Sequence, residues 1–374
     1  MSAAGRGRSI LHCIPTLGGG GAERQLAYLA GELPRLGWEV HVAFGRGGPN
    51  LARLEASGAR VHPLQAASNH DPRLMTSLVR LCGEIRPQLV QTWILQMDLL
   101  GGIAARLRGV PWILSERSSA ENHPLGWKTA LRARVARGAR TVVSNSRQGD
   151  LYWQTRLPSG VRRRIVSNGL PLEEIAAAPA ANPARGKGER LVLHVGRLSE
   201  EKGLEVLMEA LAQLERERSG WGAQLLGEGP MRPRLEASVH RLGLDARVSF
   251  AGHVDAAWGW MKRASVLVSI GHYEGHPNAV LEAMACGCPL VVSDIAAHRE
   301  FLDEKAAVLV NGRDAAALAA AISRVLDEPG EAEVRASEAR ARVASLSIAR
   351  VAGEWDAVYR EALGESPARA AGSV

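Results

Sequence analysis

Two carboxylates, Glu274 and Glu282, flank a stretch that reads Glu274-Gly275-His276-Pro277-Asn278 before turning apolar. The apolar run at 265–270 ahead of it reads as a buried strand. Pro277 or Asn278 then opens a helix, whose first backbone N–H groups have no partner within the helix. Glu274 therefore sits on the loop leaving a strand and Glu282 on the helix that follows. Free N–H groups at a helix start suit phosphate oxygens. Carboxylates suit hydroxyl donors, such as those of a sugar and a ribose. Together they describe a site for a nucleotide that bears a sugar. A carboxylate pair alone would equally suit acid/base hydrolysis of a glycoside.

Two cations argue for the diphosphate. Arg197 and Lys202 follow an apolar strand at 191–195, and cations at a strand end can neutralise a leaving diphosphate. Glu200 and Glu201 lie between them, so a solvated charge cluster is the competing reading. A third stretch is the run Gly18, Gly19, Gly20 and Gly21 after the first strand, where a backbone without side chains can approach a ligand closely. A dinucleotide fold would place a further glycine at 23 or 24 and an acid at the end of strand 2. Glu23, Arg24 and Phe44-Gly45-Arg46 stand there instead, which argues against a dehydrogenase and favours a plain turn or a ligand loop. Three more strand ends carry Ser115-Glu116-Arg117-Ser118, Gly227-Glu228-Gly229-Pro230 and Gly252-His253-Val254. By residue type alone the last two are ordinary turns.

These groups all need strand ends to hold them, and the pattern supplies strands. Apolar runs at 9–15, 39–44, 60–63, 89–92, 111–115, 141–144 and 164–166 alternate with helical segments. After an Ala-, Pro- and Gly-rich linker at 176–190 the alternation restarts, with strands at 191–195, 223–226, 248–250, 266–270, 290–292 and 307–310. The tail, 314–363, is helical with brief breaks. Strands alternating with helices imply parallel sheets covered on both faces. The expectation is an α/β protein with two Rossmann-like parallel-sheet domains, 1–175 and 191–345. A ligand would then sit in a cleft at the carboxyl ends of the strands.

A chain of 374 residues accommodates two such domains, and 46% hydrophobic with 23% charged residues is ordinary for a globular protein. No apolar run approaches the roughly 18–20 residues that span a bilayer. The stretch 10–17 is broken by His12 and Pro15, a poor signal-peptide core, so the expected location is cytoplasmic. The four cysteines lack metal spacing, and no Asp-x-Asp triplet or Walker A motif occurs, so no metal is expected. Charge is uneven. Residues 1–175 hold 23 of the 46 Arg and Lys but 12 of the 39 Asp and Glu, a net of +11, against −4 for the remainder. That asymmetry suggests an anionic partner, although 22 of those 23 are arginine and a composition bias would look the same. The helix at 126–137 mixes Lys128, Arg132, Arg134 and Arg137 with Trp127, Leu131 and Val135. It could lie on an anionic membrane or pack on a sheet with a solvated basic face.

The glycine loop, the Arg197/Lys202 segment and the Glu274/Glu282 stretch, in this order, resemble glycosyltransferase family 4. The resemblance spans essentially the whole chain. It implies a GT-B fold, with the two domains facing a central cleft and the terminal segment 346–374 packing back on the N-terminal domain through Trp355 and Tyr359. It implies that Arg197 and Lys202 hold the donor diphosphate and, with Glu274, form the catalytic set. Glu274 would contact the sugar hydroxyls, Glu282 the ribose, and Gly275, His276, Pro277 and Asn278 the sugar and phosphate. The base would lie near Val254 or His253. Gly19, Gly20 and Gly21 would approach the transferred phosphate or the acceptor, with Glu116 and Arg117 lining the acceptor site. Many members carry a histidine in that last region, where the nearest here is His123.

The activity implied is a retaining, metal-independent hexosyltransferase. It would move sugar from a nucleotide-diphosphate donor, UDP above all, to a lipid-linked or polysaccharide acceptor of the cell envelope. No cofactor is expected, since the nucleotide sugar is the substrate, and no nucleic acid partner. An anionic membrane surface would be met peripherally on the inner face of the cytoplasmic membrane. The alternatives are a GT-B epimerase or hydrolase of nucleotide sugars, and a non-catalytic protein that binds a nucleotide or polyanion.

Overall fold

The computed structural model describes residues 7–65, 71–118, 126–181, 190–254 and 257–365. His123 and residues 182–189 of the expected linker lie outside them. The chain forms two compact units, Met1–Gly169 with Leu346–Val374, and Leu170–Ser345.

The first unit is built on seven strands: β1 (Arg8–Thr16), β2 (Trp38–Arg46), β3 (Arg60–Pro63), β4 (Leu89–Trp93), β5 (Trp112–Glu116), β6 (Thr141–Ser144) and β7 (Arg162–Ile165). They pair in the order β3-β2-β1-β4-β5-β6-β7, and every pairing is parallel. A parallel sheet is covered on both faces, so its strands read as near-continuous apolar runs. Thus Ile10, Leu11, Cys13 and Ile14 of β1 are all fully buried. One face packs Leu26 and Leu29 with Trp355 and Tyr359, and the other packs Met97, Trp112 and Trp153. The returning helix Ile348–Leu363 is therefore part of this unit's core.

The helix Ile94–Leu107 starts directly after β4, with no loop between them. Ile94 pays for the missing loop with φ +70°, a left-handed conformation costly for a β-branched residue. Close packing explains two glycines in this helix. A Cβ on Gly102 would lie 2.7 Å from the Trp112 ring, and one on Gly101 2.8 Å from Thr92 Cγ2.

The expected solvated basic face of the helix Trp127–Ala136 needs a correction at Arg132. That side chain is 2% exposed and bridges Asp98 at 2.6 Å and Glu116 at 2.7 Å. Burial opposes its charge, but the two carboxylates raise its pKa above the ordinary arginine value. Trp127, Lys128, Leu131, Arg134 and Arg137 do remain exposed.

The second unit has six strands: β8 (Arg190–Val195), β9 (Trp221–Leu226), β10 (Val248–Gly252), β11 (Val266–Ser269), β12 (Leu290–Ser293) and β13 (Val308–Val310). Their order is β10-β9-β8-β11-β12-β13, again all parallel. Its core joins Leu207, Leu211 and Leu214 of the helix Leu204–Glu217 to Leu318, Ile322 and Val325 of the helix Ala315–Asp327.

The chain leaves the first unit after Gly169, ahead of the expected linker. A short helix, Leu172–Ala177, was not foreseen there and belongs to the second unit. It buries Ile175, and its end is fixed by Lys262 Nζ, which donates to the Ala176 and Ala178 carbonyls at 2.8 and 2.6 Å. Gly169 itself is gripped by Gln25, which donates to its carbonyl at 2.8 Å and accepts from its N–H at 2.9 Å.

Each unit buries one strongly shifted histidine. His12 accepts the Trp93 indole N–H at 3.2 Å, and burial, helped by Arg117, lowers its pKa to about 3. His194 donates Nδ1–H to the Val268 carbonyl at 3.1 Å, and burial lowers its pKa to about 4. Both are neutral when folded yet take up a proton near pH 6.5 when unfolded. Their contribution is complete above that pH and is lost as pH falls towards the folded values. Between pH 6.5 and 5 each unit should lose about 2 kcal/mol from this source. Urea unfolding at pH 7 and pH 5 measures it, and a flat profile would contradict the assignment.

Candidate functional site

In the second sheet the strand order reverses between β8 and β11, so the loops leaving these two strands diverge around a crevice. Arg197 and Lys202 are on the loop after β8, and Glu274 is on the loop after β11. After Val195 the chain runs through an exposed Arg197 into a single 3-10 turn, Glu200–Lys202. Gly203, at φ +65°, turns it into the following helix. A side chain at 203 would meet the Ile270 carbonyl at 2.7 Å, so the turn lies flat against the end of β11. His272 N–H donates to the Glu201 carbonyl at 2.8 Å and ties the two loops together.

That closeness brings Lys202 Nζ to 2.5 Å from Glu274 Oε1. The two side chains are 20% and 13% exposed, sheltered but within reach of a ligand. Next to them begins the helix Asn278–Cys286, with Pro277 as its N-cap residue. Asn278 N–H donates to the His276 carbonyl at 2.9 Å. Among the described residues the Ala279 and Val280 amides have no hydrogen-bond acceptor. They are the N–H groups a phosphate oxygen would take up.

Glu282 lies further along this helix, 5% exposed, and its Oε2 accepts the Trp258 indole N–H at 3.0 Å. The sequence reading missed Trp258, whose apolar setting gives no sign of the polar bond it makes. His276 is buried, with its ring edge to face against Phe301 at 5.3 Å. Gly275 lies between Glu274 and that ring on the same loop. Val254 follows β10, the outer strand of the sheet. The β10 end is joined to the β8 loop through Gly227, whose N–H donates to the Gly252 carbonyl at 2.7 Å, and through Glu228, whose carbonyl accepts Leu198 N–H at 3.0 Å. Lys202 and Glu274 are thus in contact, and Arg197, the helix start and Glu282 belong to the same unit.

In the first unit the order reverses between β1 and β4, and the glycine run follows β1. Gly20 is the N-cap residue and Gly21 the first residue of the helix Gly21–Glu32. Gly19 sits just before them on the exposed turn. Two supports were not foreseen. Asn50 donates its side-chain amide to the Gly18 carbonyl and so fixes the loop. Glu23 is buried with its carboxylate folded against Gly20, and burial raises its pKa above the ordinary glutamate value.

Glu116 and Arg117 are placed differently from expectation. Glu116 is 1% exposed, and its oxygens accept from Ser118 N–H at 2.9 Å, Arg132 Nη1 at 2.7 Å and Trp153 Nε1 at 3.0 Å. It supports the strand end and leaves no oxygen facing an acceptor. Arg117 lies over the rings of Trp93 and Trp355, 4.4 and 5.3 Å from their centres, and donates to Asn168 Oδ1 at 2.9 Å. Burial lowers its pKa to about 10. It ties the β5 end to the returning helix. Among the described residues no group of three or more His, Cys, Asp or Glu is arranged to hold a metal ion.

Comparison with known proteins identifies the family and the fold. The family model "Glycosyl transferase 4-like domain" matches residues 20–169, and "Glycosyl transferases group 1" matches residues 189–328. The alpha-D-kanosaminyltransferase of Streptomyces kanamyceticus is 30% identical over 281 residues, 69% of this chain and 72% of that protein. The chain belongs to the GT4-type glycosyltransferases. The glycogen synthase of Mycobacterium tuberculosis is 29% identical over 276 residues, 70% of this chain. The match spans 65% of that synthase's own length. Among solved structures, Anabaena HepE in complex with UDP and glucose superposes with a TM-score of 0.82 at 20% identity, covering 95% of this chain and 100% of that one. That likeness, with the two parallel sheets, gives the fold as GT-B.

The bond from Trp258 to Glu282 yields a test of the GT4-type site. Trp258→Phe removes the indole donor and should raise the Kd for UDP about fivefold, the worth of one hydrogen bond. Glu282→Ala should raise it by about tenfold or more. Calorimetric titration with UDP decides it, and wild-type affinity in both variants would sink the role of Glu282.

Proposed function

We propose that this chain is a retaining, metal-independent glycosyltransferase that moves a sugar from a UDP-sugar to a lipid-linked or polysaccharide acceptor. The observation that carries the proposal is the Lys202–Glu274 pair at 2.5 Å, beside the Ala279 and Val280 amides and within one unit with Glu282. A cation, free N–H groups and two carboxylates match in turn the diphosphate, the transferred sugar and the ribose of one donor. The UDP and glucose bound to Anabaena HepE support UDP as the nucleotide.

In this reading the diphosphate draws Lys202 and Arg197 onto its oxygens, and Glu274 accepts hydrogen bonds from the sugar hydroxyls. As the glycosidic bond breaks, negative charge builds on the leaving oxygen, where the two cations and the helix amides stabilise it. No protein carboxylate acts as nucleophile. The departing diphosphate accepts the proton of the acceptor hydroxyl, which attacks from the same face and retains the configuration.

Activity should therefore survive EDTA, because Arg197 and Lys202 supply the charge that a divalent ion supplies elsewhere. Sugar transfer and UDP release measured with and without chelator test this. Activity lost in chelator and restored by Mg²⁺ or Mn²⁺ would overturn the leaving-group chemistry. Sugar release at full rate without any acceptor would instead favour the hydrolase, and binding with no turnover the non-catalytic protein.

The acceptor reading rests on the first unit. Trp127 is 71% and Leu131 38% exposed on the helix that also presents Lys128, Arg134 and Arg137. Apolar side chains among cations suit an anionic lipid surface, where each basic residue contributes about 1 kcal/mol, screened by salt. No described helix is long and apolar enough to cross a membrane. The combined variant Lys128→Glu, Arg134→Glu, Arg137→Glu should release the protein from anionic vesicles in co-sedimentation and leave UDP affinity unchanged. Unchanged vesicle binding in the variant, or none by the wild type at low salt, would point to a soluble acceptor.

A further inference from the structure

A cavity of about 340 Å³ opens at the carboxyl ends of β11, β12 and β13, beside the Lys202–Glu274 pair and outside the β8–β11 crevice. Its size is at the small end for a ligand pocket, with room for a sugar ring. It shares one wall with the donor site. A Cβ on Gly271, which lines the cavity, would lie 3.3 Å from Glu274 Oε1. His272, also in the lining, is held by its backbone bond to Glu201 on the β8 loop.

The opposite wall is a turn built for close approach. Gly312 lies where a Cβ would be 2.9 Å from the Ile270 carbonyl and 3.0 Å from Ser293 Cβ, so the turn presses onto the strand ends. Asn311 Oδ1 accepts Arg313 N–H at 3.1 Å and sets the turn that carries Arg313.

The charges around the cavity are unequal. Asp294 gives both oxygens to Arg299, at 2.6 and 2.9 Å. Asp314, next along the chain, accepts Ala317 N–H at 2.9 Å and caps the following helix. Among the described residues no hydrogen bond or ion pair takes the Arg313 guanidinium, which is exposed at the rim. Asp294 is paired with Arg299, Asp314 is turned to its helix cap, and the Arg313 guanidinium is free. A guanidinium presents a planar pair of donors that fits a carboxylate.

The geometry points to a subsite for a carboxylate-bearing sugar ring, its carboxylate on Arg313 and its hydroxyls towards His272 and Asn311. The inference rests on the glycosyltransferase reading and names a substrate class for it. The acidic ring is either the one carried by the nucleotide or one in the acceptor glycan, and the cavity chemistry is the same for both.

Calorimetric titrations of the full chain and of Arg313→Gln separate the cases. One arm compares UDP-glucuronate with UDP-glucose. The other adds methyl β-glucuronide or methyl β-glucoside, with and without saturating UDP. The expected result is a preference for the acidic ligand of about tenfold or more in at least one arm, the worth of a charge-assisted hydrogen bond. Arg313→Gln should abolish it and leave the affinity for UDP alone unchanged. A preference in the first arm assigns the ring to the donor, and in the second to the acceptor. No preference in either arm, or a preference that persists in Arg313→Gln, overturns the subsite. Failure of UDP to bind the wild type would instead count against the donor site, and the glucuronide arm would still decide the cavity.

Discussion

Parallel pairing of β8 with β11 is the constraint on which the candidate site depends. In a parallel sheet every strand ends on the same edge. Where the order reverses, the two loops leave in opposite directions and need not cover each other. The reversal alone would leave a wide gap. Glycines narrow it: Gly203 lets the β8 loop lie against the Ile270 carbonyl, and Gly271 leaves room for the Glu274 carboxylate. Larger residues at either position would push Lys202 and Glu274 apart. These two charges are thus placed by backbone packing, and their side chains have little freedom left to lose on binding a ligand.

The first unit uses its charges differently. Arg132, Asp98, Glu116 and Trp153 form a buried ionic cluster at the ends of β4 and β5. Burying an ion pair stabilises little in net terms, but removing one partner leaves an uncompensated charge. The cluster therefore specifies more than it stabilises. It fixes where β5 ends and, through Ser118, how the chain departs. Arg117 continues this towards the returning helix by lying over Trp93 and Trp355.

Much of this was legible from the sequence because parallel sheets advertise themselves. Strand positions, the restart of the alternation and the Glu274–Glu282 segment follow from apolar runs and turn residues that have few other readings. What was not legible depends on contacts distant in sequence. Arg132 looks like any surface arginine on a basic helix until Asp98 and Glu116 are beside it. The burial of His276 involves Phe301, and the support of Glu282 requires Trp258. The helix at Leu172–Ala177 did carry a local signal, acids after Pro171 in its first turn, but the Ala- and Pro-rich stretch behind it read more strongly as linker.

The Lys202–Glu274 pair has a consequence for what leaves the site after reaction. In the proposed reaction a diphosphate would compete with Glu274 for the three N–H donors of Lys202. An intact sugar nucleotide would offset any weakening of the pair, because its sugar hydroxyls would give the carboxylate new partners. A nucleoside diphosphate without its sugar would draw on the lysine and offer Glu274 nothing. The internal pair would then compete with the spent nucleotide and not with the loaded one. The residues proposed to hold the substrate would in this way also favour release of the product.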